Sequence, residues 1–213
     1  MQDLTVEPVV TQVQVPPGML GPDPVSFEVR CFVVADAGRV VLVDTCTPGS
    51  SEAIGEALAS AGAAWPNLTD IVLTHSHFDH VGGLAEASQL ASGATVWAGA
   101  QDAAEIPTIE GRVVRGLVEG DRVGDLRVMH TPGHTAGHIS LLHEAASLLF
   151  IGDLVGSVDG VPTFGPAAFT ADSESSRTSL RRMVDLAPDR ILFSHGGELS
   201  HPVRAIEDLL SRS

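Results

Sequence analysis

The chain has 213 residues, 44% of them hydrophobic, and a formal net charge of −15. That length suits one domain with a sizeable core, and no apolar stretch is long and uncharged enough to cross a membrane as a helix. Every basic residue is arginine, and so acidic a surface repels phosphate backbones unless the arginines cluster. The densest group, Arg177, Arg181 and Arg182, fits the solvated face of a helix, so no nucleic-acid partner is expected. Met1-Gln2-Asp3-Leu4 lacks the basic and apolar regions of a secretory signal, which makes the cytoplasm the expected location.

In chain order, residues 5–44 read as strands, broken over 15–24 by a Pro/Gly stretch that can continue neither strand nor helix. Cys31 and Cys46 flank a predicted hairpin whose turn lies near Asp36-Ala37-Gly38. Two cysteines make no disulfide framework, and both read as thiols. Cys46 fits a small packed side chain, although its place two residues beyond Asp44 could bring it near a site. Residues 50–61 read as a helix with Ser50 or Ser51 as cap and Gly62 as stop. Ile71-Val72-Leu73 reads as a buried strand, 83–91 as a short helix and 95–98 as a strand. Residues 112–130 give two strands around Glu119-Gly120-Asp121, and 139–151 two more around Glu144-Ala145-Ala146. Residues 173–186 and 202–211 are the last predicted helices. Strands and helices in two rough halves, without repeats, predict an α/β sandwich.

The chemistry gathers behind the strand at 71–73. Thr74-His75-Ser76-His77-Phe78-Asp79-His80 puts three imidazoles and a carboxylate into six residues, on a loop at a strand's carboxyl end. Ligand sites collect there in α/β folds, and imidazole with carboxylate is a zinc-type donor set. His75 and His77 alternate around Ser76 and can point to one side, whereas Asp79 and His80 follow after a turn and could face a second ion. Four other apolar runs also end in such a residue: 40–43 in Asp44, 126–129 shortly before His134, 148–151 at Asp153, and 190–193 at His195. A core explains the apolar runs but not their shared ending. A site along one sheet edge explains both.

These motifs resemble those of the metallo-β-lactamase superfamily, from about Val29 to His195, with all five family motifs in order. The resemblance implies an αββα sandwich with a two-metal site at one edge. It implies one metal held by His75, His77 and His134, a second held by Asp79, His80 and His195, and Asp153 as the bridge. Asp44 would orient a ligand histidine. Two Zn2+ per chain are the implied cofactors, with Fe2+ or a zinc, iron and manganese mixture as the alternative. Metal binding lowers the pKa of water to roughly 7, so a hydroxide between the ions would attack a carbonyl carbon. Asp79 would orient it or shuttle a proton besides serving as a ligand. Ser194 beside His195 is no triad, because His195 is already used. Gly82, Gly83, Gly133 and Gly152 would let the backbone approach the metals closely. His138 completes a Thr-Pro-Gly-His-Thr-x-Gly-His form and fits a structural hydrogen bond, while His130, His143 and His201 read as strand, turn and surface residues.

Within the superfamily, substrate is argued from departures. Secreted β-lactamases lack the bridging carboxylate that Asp153 supplies here. Flavodiiron proteins carry Glu at the place of His77. Lactonases acting on acyl-homoserine lactones place a tyrosine over the site, and this chain has none. The stretch 131–138 resembles glyoxalase II (hydroxyacylglutathione hydrolase), whose thiol-binding basic residues lie largely in a C-terminal helical domain, whereas this chain ends soon after His195. A compact glyoxalase-II-like hydrolase of a small ester, thioester or lactone is therefore expected, with the oligomeric state, monomer or homodimer, left open. The runner-up is a persulfide dioxygenase, which binds one iron through the equivalents of His75, His134 and Asp153. A degenerate binding fold is the third possibility, but no ligand position is lost. The loops 18–26 and 156–170 are expected to shape the pocket, with Phe164 and Phe169 lining an apolar mouth.

Overall fold

The computed structural model describes residues 4–19, 21–109 and 111–212. Met1, Gln2 and Asp3 of the leader reading, and Leu20 of the Pro/Gly break, lie outside the described residues. The first sheet has six strands in sequence order: β1 (Thr5–Val15), β2 (Val25–Asp36), β3 (Arg39–Val43), β4 (Asp70–Leu73), β5 (Thr95–Gly99) and β6 (Arg115–Leu117). β1–β2 and β2–β3 pair antiparallel. Ala37 and Gly38, both at positive φ, make the two-residue turn between β2 and β3, a geometry whose twist matches the strands it joins. β3, β4, β5 and β6 run parallel, so their carboxyl ends lie side by side.

The second sheet runs β7 (Arg122–Val123), β8 (Leu126–His130), β9 (Ile139–His143), β10 (Leu148–Phe150), and finally, beyond β10, the strand β13 (Arg190–Leu192). A separate hairpin, β11 (Gly156–Val158) with β12 (Val161–Thr163), fills the gap in sequence. β7 to β10 alternate in direction and β13 joins β10 in parallel. The carboxyl ends of β8, β10 and β13 therefore emerge at one edge.

Strand alternation sorts three apolar layers. Phe32, Val34, Val41, Val43 and Val72 face Val128, Leu141, Leu148 and Phe150 between the sheets. The opposite faces of the first sheet, through Cys31, Val33, Leu42, Ile71 and Leu73, pack on α1 (Ser51–Ser60) and α3 (Leu84–Leu90). Leu142, Leu149 and Ile191 pack on α5 (Ser173–Val184) and α6 (Pro202–Ser211). The result is the expected αββα sandwich. Two single turns complete the helices, α2 (Phe78–Val81) and α4 (Ala100–Ala103).

Some local expectations change. Residues 112–130 form three strands, and the turn at Glu119–Asp121 is a crossing, because β6 completes the first sheet while β7 opens the second. The hairpin there closes at Gly124, which has φ +60. Sheet membership of a three-residue strand is a long-range choice that its own sequence does not carry. Ser50 occupies the cap position of α1, but its hydroxyl bonds the Thr47 carbonyl at 2.7 Å. Gly62 does stop the helix, at φ +71. Part of the 156–170 loop is the β11–β12 hairpin, and Phe164 packs against the outer helical core under the Arg177 guanidinium rather than at an open mouth.

Candidate metal centre

The edge where β3, β4 and β5 end meets the ends of β8, β10 and β13. Asp44, the first residue past β3, is buried and held at φ +62. Its carboxylate accepts bonds from the Thr74 amide at 2.7 Å and the Thr74 hydroxyl at 2.8 Å, and sits 2.9 Å from His80 Nδ1. With the carboxylate as acceptor, Nδ1 of His80 carries a hydrogen, which leaves Nε2 as the position a cation could take. The same logic extends one residue further. Thr74 Oγ1 donates to Asp44, so its oxygen accepts from His75 Nδ1 at 3.1 Å, and His75 Nε2 is also left free. The α2 turn, closed by His80 and Val81 amides on the His77 carbonyl, brings the His80 ring back beside His75, with ring centroids 3.9 Å apart.

The second sheet supplies its residues singly. His134 Nε2 faces His77 Nδ1 at 2.9 Å. His195 donates from Nδ1 to the Glu28 carbonyl at 2.6 Å and turns Nε2 to Asp153 Oδ2 at 3.1 Å, with Phe27 edge-on to its ring. Asp153 stands at the centre: Oδ2 lies 3.5 Å from His134 Nε2 and 3.9 Å from His75 Nε2, and Oδ1 lies 3.4 Å from His80 Nε2. Asp79 Oδ2 is 3.6 Å from His195 Nε2 and 3.8 Å from His80 Nε2. Among the described residues, three groups have potential ligand atoms within 4.8 Å of one another: His75, His77 and His134; His75, His80 and Asp153; Asp79, His80 and His195. The seven residues predicted from sequence to hold metal all fall in these groups.

The donor set fits metal ions on a second ground. His75 Nε2, His80 Nε2 and Asp153 Oδ1 are buried without a hydrogen-bond partner. Leaving such groups orphaned costs about 1–3 kcal/mol each, and a cation among them removes that cost. The protonation pattern agrees. Burial holds His75 well below the ordinary imidazole value, lowers His77, and takes His134 down to about 4, so all three are neutral at pH 7, the form in which imidazole binds a metal. Burial also opposes charge on His80 and His195, yet the nearby carboxylates, Asp153 foremost, outweigh it and hold both above the ordinary value. The charges of His195 and His80 outweigh burial at Asp153 and keep its carboxyl ionised. A cation would take over the role these two protons play.

His138 makes the structural bonds expected of it. Its Nε2 accepts the Asp153 amide at 3.0 Å and its Nδ1 meets Thr131 Oγ1 at 2.8 Å. Burial pushes its pKa down to about 3, so it stays neutral. Three of the glycines stand where packed neighbours leave no room for a Cβ. A Cβ on Gly152 would fall 2.5 Å from His138 Nε2, one on Gly133 2.0 Å from the Ser176 amide, and one on Gly83 2.3 Å from the Thr45 carbonyl. They admit the His138 ring, the first turn of α5 and the Thr45 carbonyl. Cys46 is a packed core side chain near Cys31, its Sγ 3.9 Å from the Val29 carbonyl. His143 is buried against Asp36 at 2.8 Å, His130 lies in β8, and His201 is exposed at the start of α6. Arg182 pairs with Glu119 instead of joining a basic patch.

Two contributors were not expected from sequence. Phe27 lies just past the Pro/Gly loop and touches His195. Asp102, in the α4 turn behind β5, is buried and binds both ligand loops, accepting from the Ser76 amide, the Thr135 hydroxyl and the Gly137 amide. Its only signal was another carboxylate after an apolar strand, displaced by an intervening turn.

An αββα sandwich with clustered histidines and carboxylates at one edge defines a metal-binding α/β protein. The chain belongs to the metallo-β-lactamase superfamily, whose model matches residues 26–195. It is similar to the uncharacterized protein YobT of Bacillus subtilis, 28% identical over 89% of this chain and 92% of that protein. It is also similar to a hydroxyacylglutathione hydrolase of Rhodospirillum rubrum, 37% identical over 83% of this chain but only 62% of the hydrolase's length. Among solved structures, TTHA1623 in a di-iron-bound form matches with a TM-score of 0.69 and 27% identity, covering 90% of this chain and 97% of the other.

Proposed function

We propose that the protein is a dinuclear zinc hydrolase of a small ester, thioester or lactone. The observation that carries this reading is the convergence of three potential ligand groups around Asp153, with ligand atoms of His75, His80 and Asp153 buried and unpartnered. His75, His77 and His134 would hold one ion, Asp79, His80 and His195 the other, and Asp153 would be shared. Bound ions supply a hydroxide nucleophile at neutral pH and stabilise charge on a carbonyl oxygen. Asp44 fixes the tautomer of His80, and His138 fixes the backbone of Asp153. Asp79 is partly exposed and near His195, where it can orient the nucleophile or move a proton.

The hydroxyacylglutathione hydrolase relatives support a thioester substrate. The acidic surface without lysine supports a small molecule of little negative charge over nucleic acid or a membrane. Among the described residues no helix is long and apolar enough to cross a membrane, and two free buried thiols suit the reducing cytoplasm. Initial rates of zinc-loaded protein on an S-lactoyl thioester, an aryl ester, a lactone, a cephalosporin and single-stranded RNA test the reading. Thioester, ester or lactone should be cleaved fastest. A cephalosporin or RNA as best substrate would overturn it.

One observation favours a second reading, a mononuclear iron persulfide dioxygenase: His75 and His134 both present Nε2 to Asp153 Oδ2. Imidazole and carboxylate serve iron as well as zinc. Oxygen uptake on glutathione persulfide by iron-loaded protein that cleaves none of the acyl substrates would select it.

A further inference from the structure

We infer that Asp102 is a positioning residue that locks the loop of His75 and His77 to the loop of His134, and so sets how tightly the first metal group closes. This rests on the metal reading above, but the observations concern residues outside the ligand set.

The α4 turn folds Asp102 back under the site, where its side chain is buried. A carboxylate out of water is costly unless its oxygens are satisfied. Here Oδ2 accepts the Ser76 amide at 2.9 Å and the Thr135 hydroxyl at 2.6 Å, and Oδ1 accepts the Gly137 amide at 2.6 Å. Ser76 lies between His75 and His77, and Thr135 follows His134. Each of these two bonds is therefore one residue from a candidate ligand, and one oxygen joins both loops. The packing is built for that approach: a Cβ on Gly137 would fall 2.2 Å from the Asp102 amide, and one on Gly99 1.8 Å from the Gly137 carbonyl.

The need for such a lock follows from the ligands. His77 Nδ1 and His134 Nε2 stand 2.9 Å apart on loops from different sheets. To bind one ion, both must turn lone pairs toward a common point, an arrangement that repels until the ion arrives. Rigid loops hold it open, whereas loose loops let the rings rotate apart. Asparagine at 102 keeps the shape but turns an NH2 toward one of the amide or hydroxyl donors, which breaks the lock without emptying the space.

Zinc binding to metal-free protein, measured by competition with a chromophoric chelator, tests this. Asp102→Asn should weaken one zinc site about 10–100-fold, the usual cost of losing a group that orients ligands. The loss should persist in a His195→Ala background and vanish in a His77→Ala background, since the effect is shared with the first group alone. Thr135→Val should give a smaller loss in the same direction and Thr135→Ser should restore it, and this pair decides the matter if Asp102→Asn does not fold. Unchanged zinc affinity with only a lower melting temperature, or an equal loss in both backgrounds, would overturn the inference while leaving the metal reading intact. Wild-type protein that binds no zinc would overturn both.

Discussion

The two sheets build the site in unlike ways. The first gives His75, His77, Asp79 and His80 from one loop behind β4, oriented by Asp44 through Thr74 and His80. The second gives His134, Asp153 and His195 one at a time, each from a different strand end. The first half is fixed by bonds within its own sheet. The second is fixed by bonds that cross the sandwich or run between its own loops: His195 leans on the Glu28 carbonyl of β2, and the Asp153 amide donates to His138 in the β8–β9 loop. Loss of a single orienting bond should thus fall mainly on one candidate group, and damage where the halves meet should reach all of them.

Asp153 is that meeting point, so Asp153→Ala should have the largest effect. Turnover of the best acyl substrate should fall by orders of magnitude, with the circular-dichroism spectrum unchanged. Near-native turnover would mean that the halves work without a shared residue. Asp44→Ala should be milder, because it loosens His80 without removing a ligand. A loss of about 10–100-fold in zinc affinity or rate is expected, larger at the site His80 would share with Asp79 and His195 than at the site of His75, which Asp44 reaches only through Thr74. Equal weakening of both zinc sites in a chelator titration would break the distinction drawn between the halves.

The smallest effect is a slope. Burial takes the His138 pKa down to about 3, while the unfolded ring titrates near 6.5. Its contribution to stability is therefore fully present above pH 6.5 and is lost as the pH falls toward 3, because the unfolded chain takes up the proton first. His80 and His195 act in the opposite sense, their contribution being present below pH 6.5 and lost as the pH rises through their raised values. They are common to wild type and variant and cancel in the comparison. Urea unfolding of metal-free protein between pH 6 and 4 should show His138→Gln falling less steeply than wild type, by up to about 1.4 kcal/mol per pH unit. Parallel slopes would show that His138 is not held neutral under Asp153.

The αββα layering was legible because strand faces alternate and apolar runs bounded by turns are local features. Cys31 and Val33 face the helices while Phe32 and Val34 face the other sheet, as period-two alternation requires. Where a segment is only two or three residues long, as in β6 and β7, that signal is too short to assign a sheet, and the pattern over 112–130 gives two strands around Glu119–Asp121 where the structure has three and a crossing.

By itself the sequence determined the donor chemistry. The seven candidate ligands stand immediately or shortly after apolar runs, and parallel strand ends must open on one edge, so their convergence followed from the pattern and the family resemblance. Only the tertiary structure decided which bonds hold them in place. The Thr74 hydroxyl linking Asp44 to His75, the Glu28 carbonyl under His195 and Asp102 between two loops join residues up to 167 positions apart. Such bonds depend on how two sheets dock, and docking is fixed by the packed faces of Val72, Val128, Leu141 and Phe150 taken together, not by any short stretch of sequence.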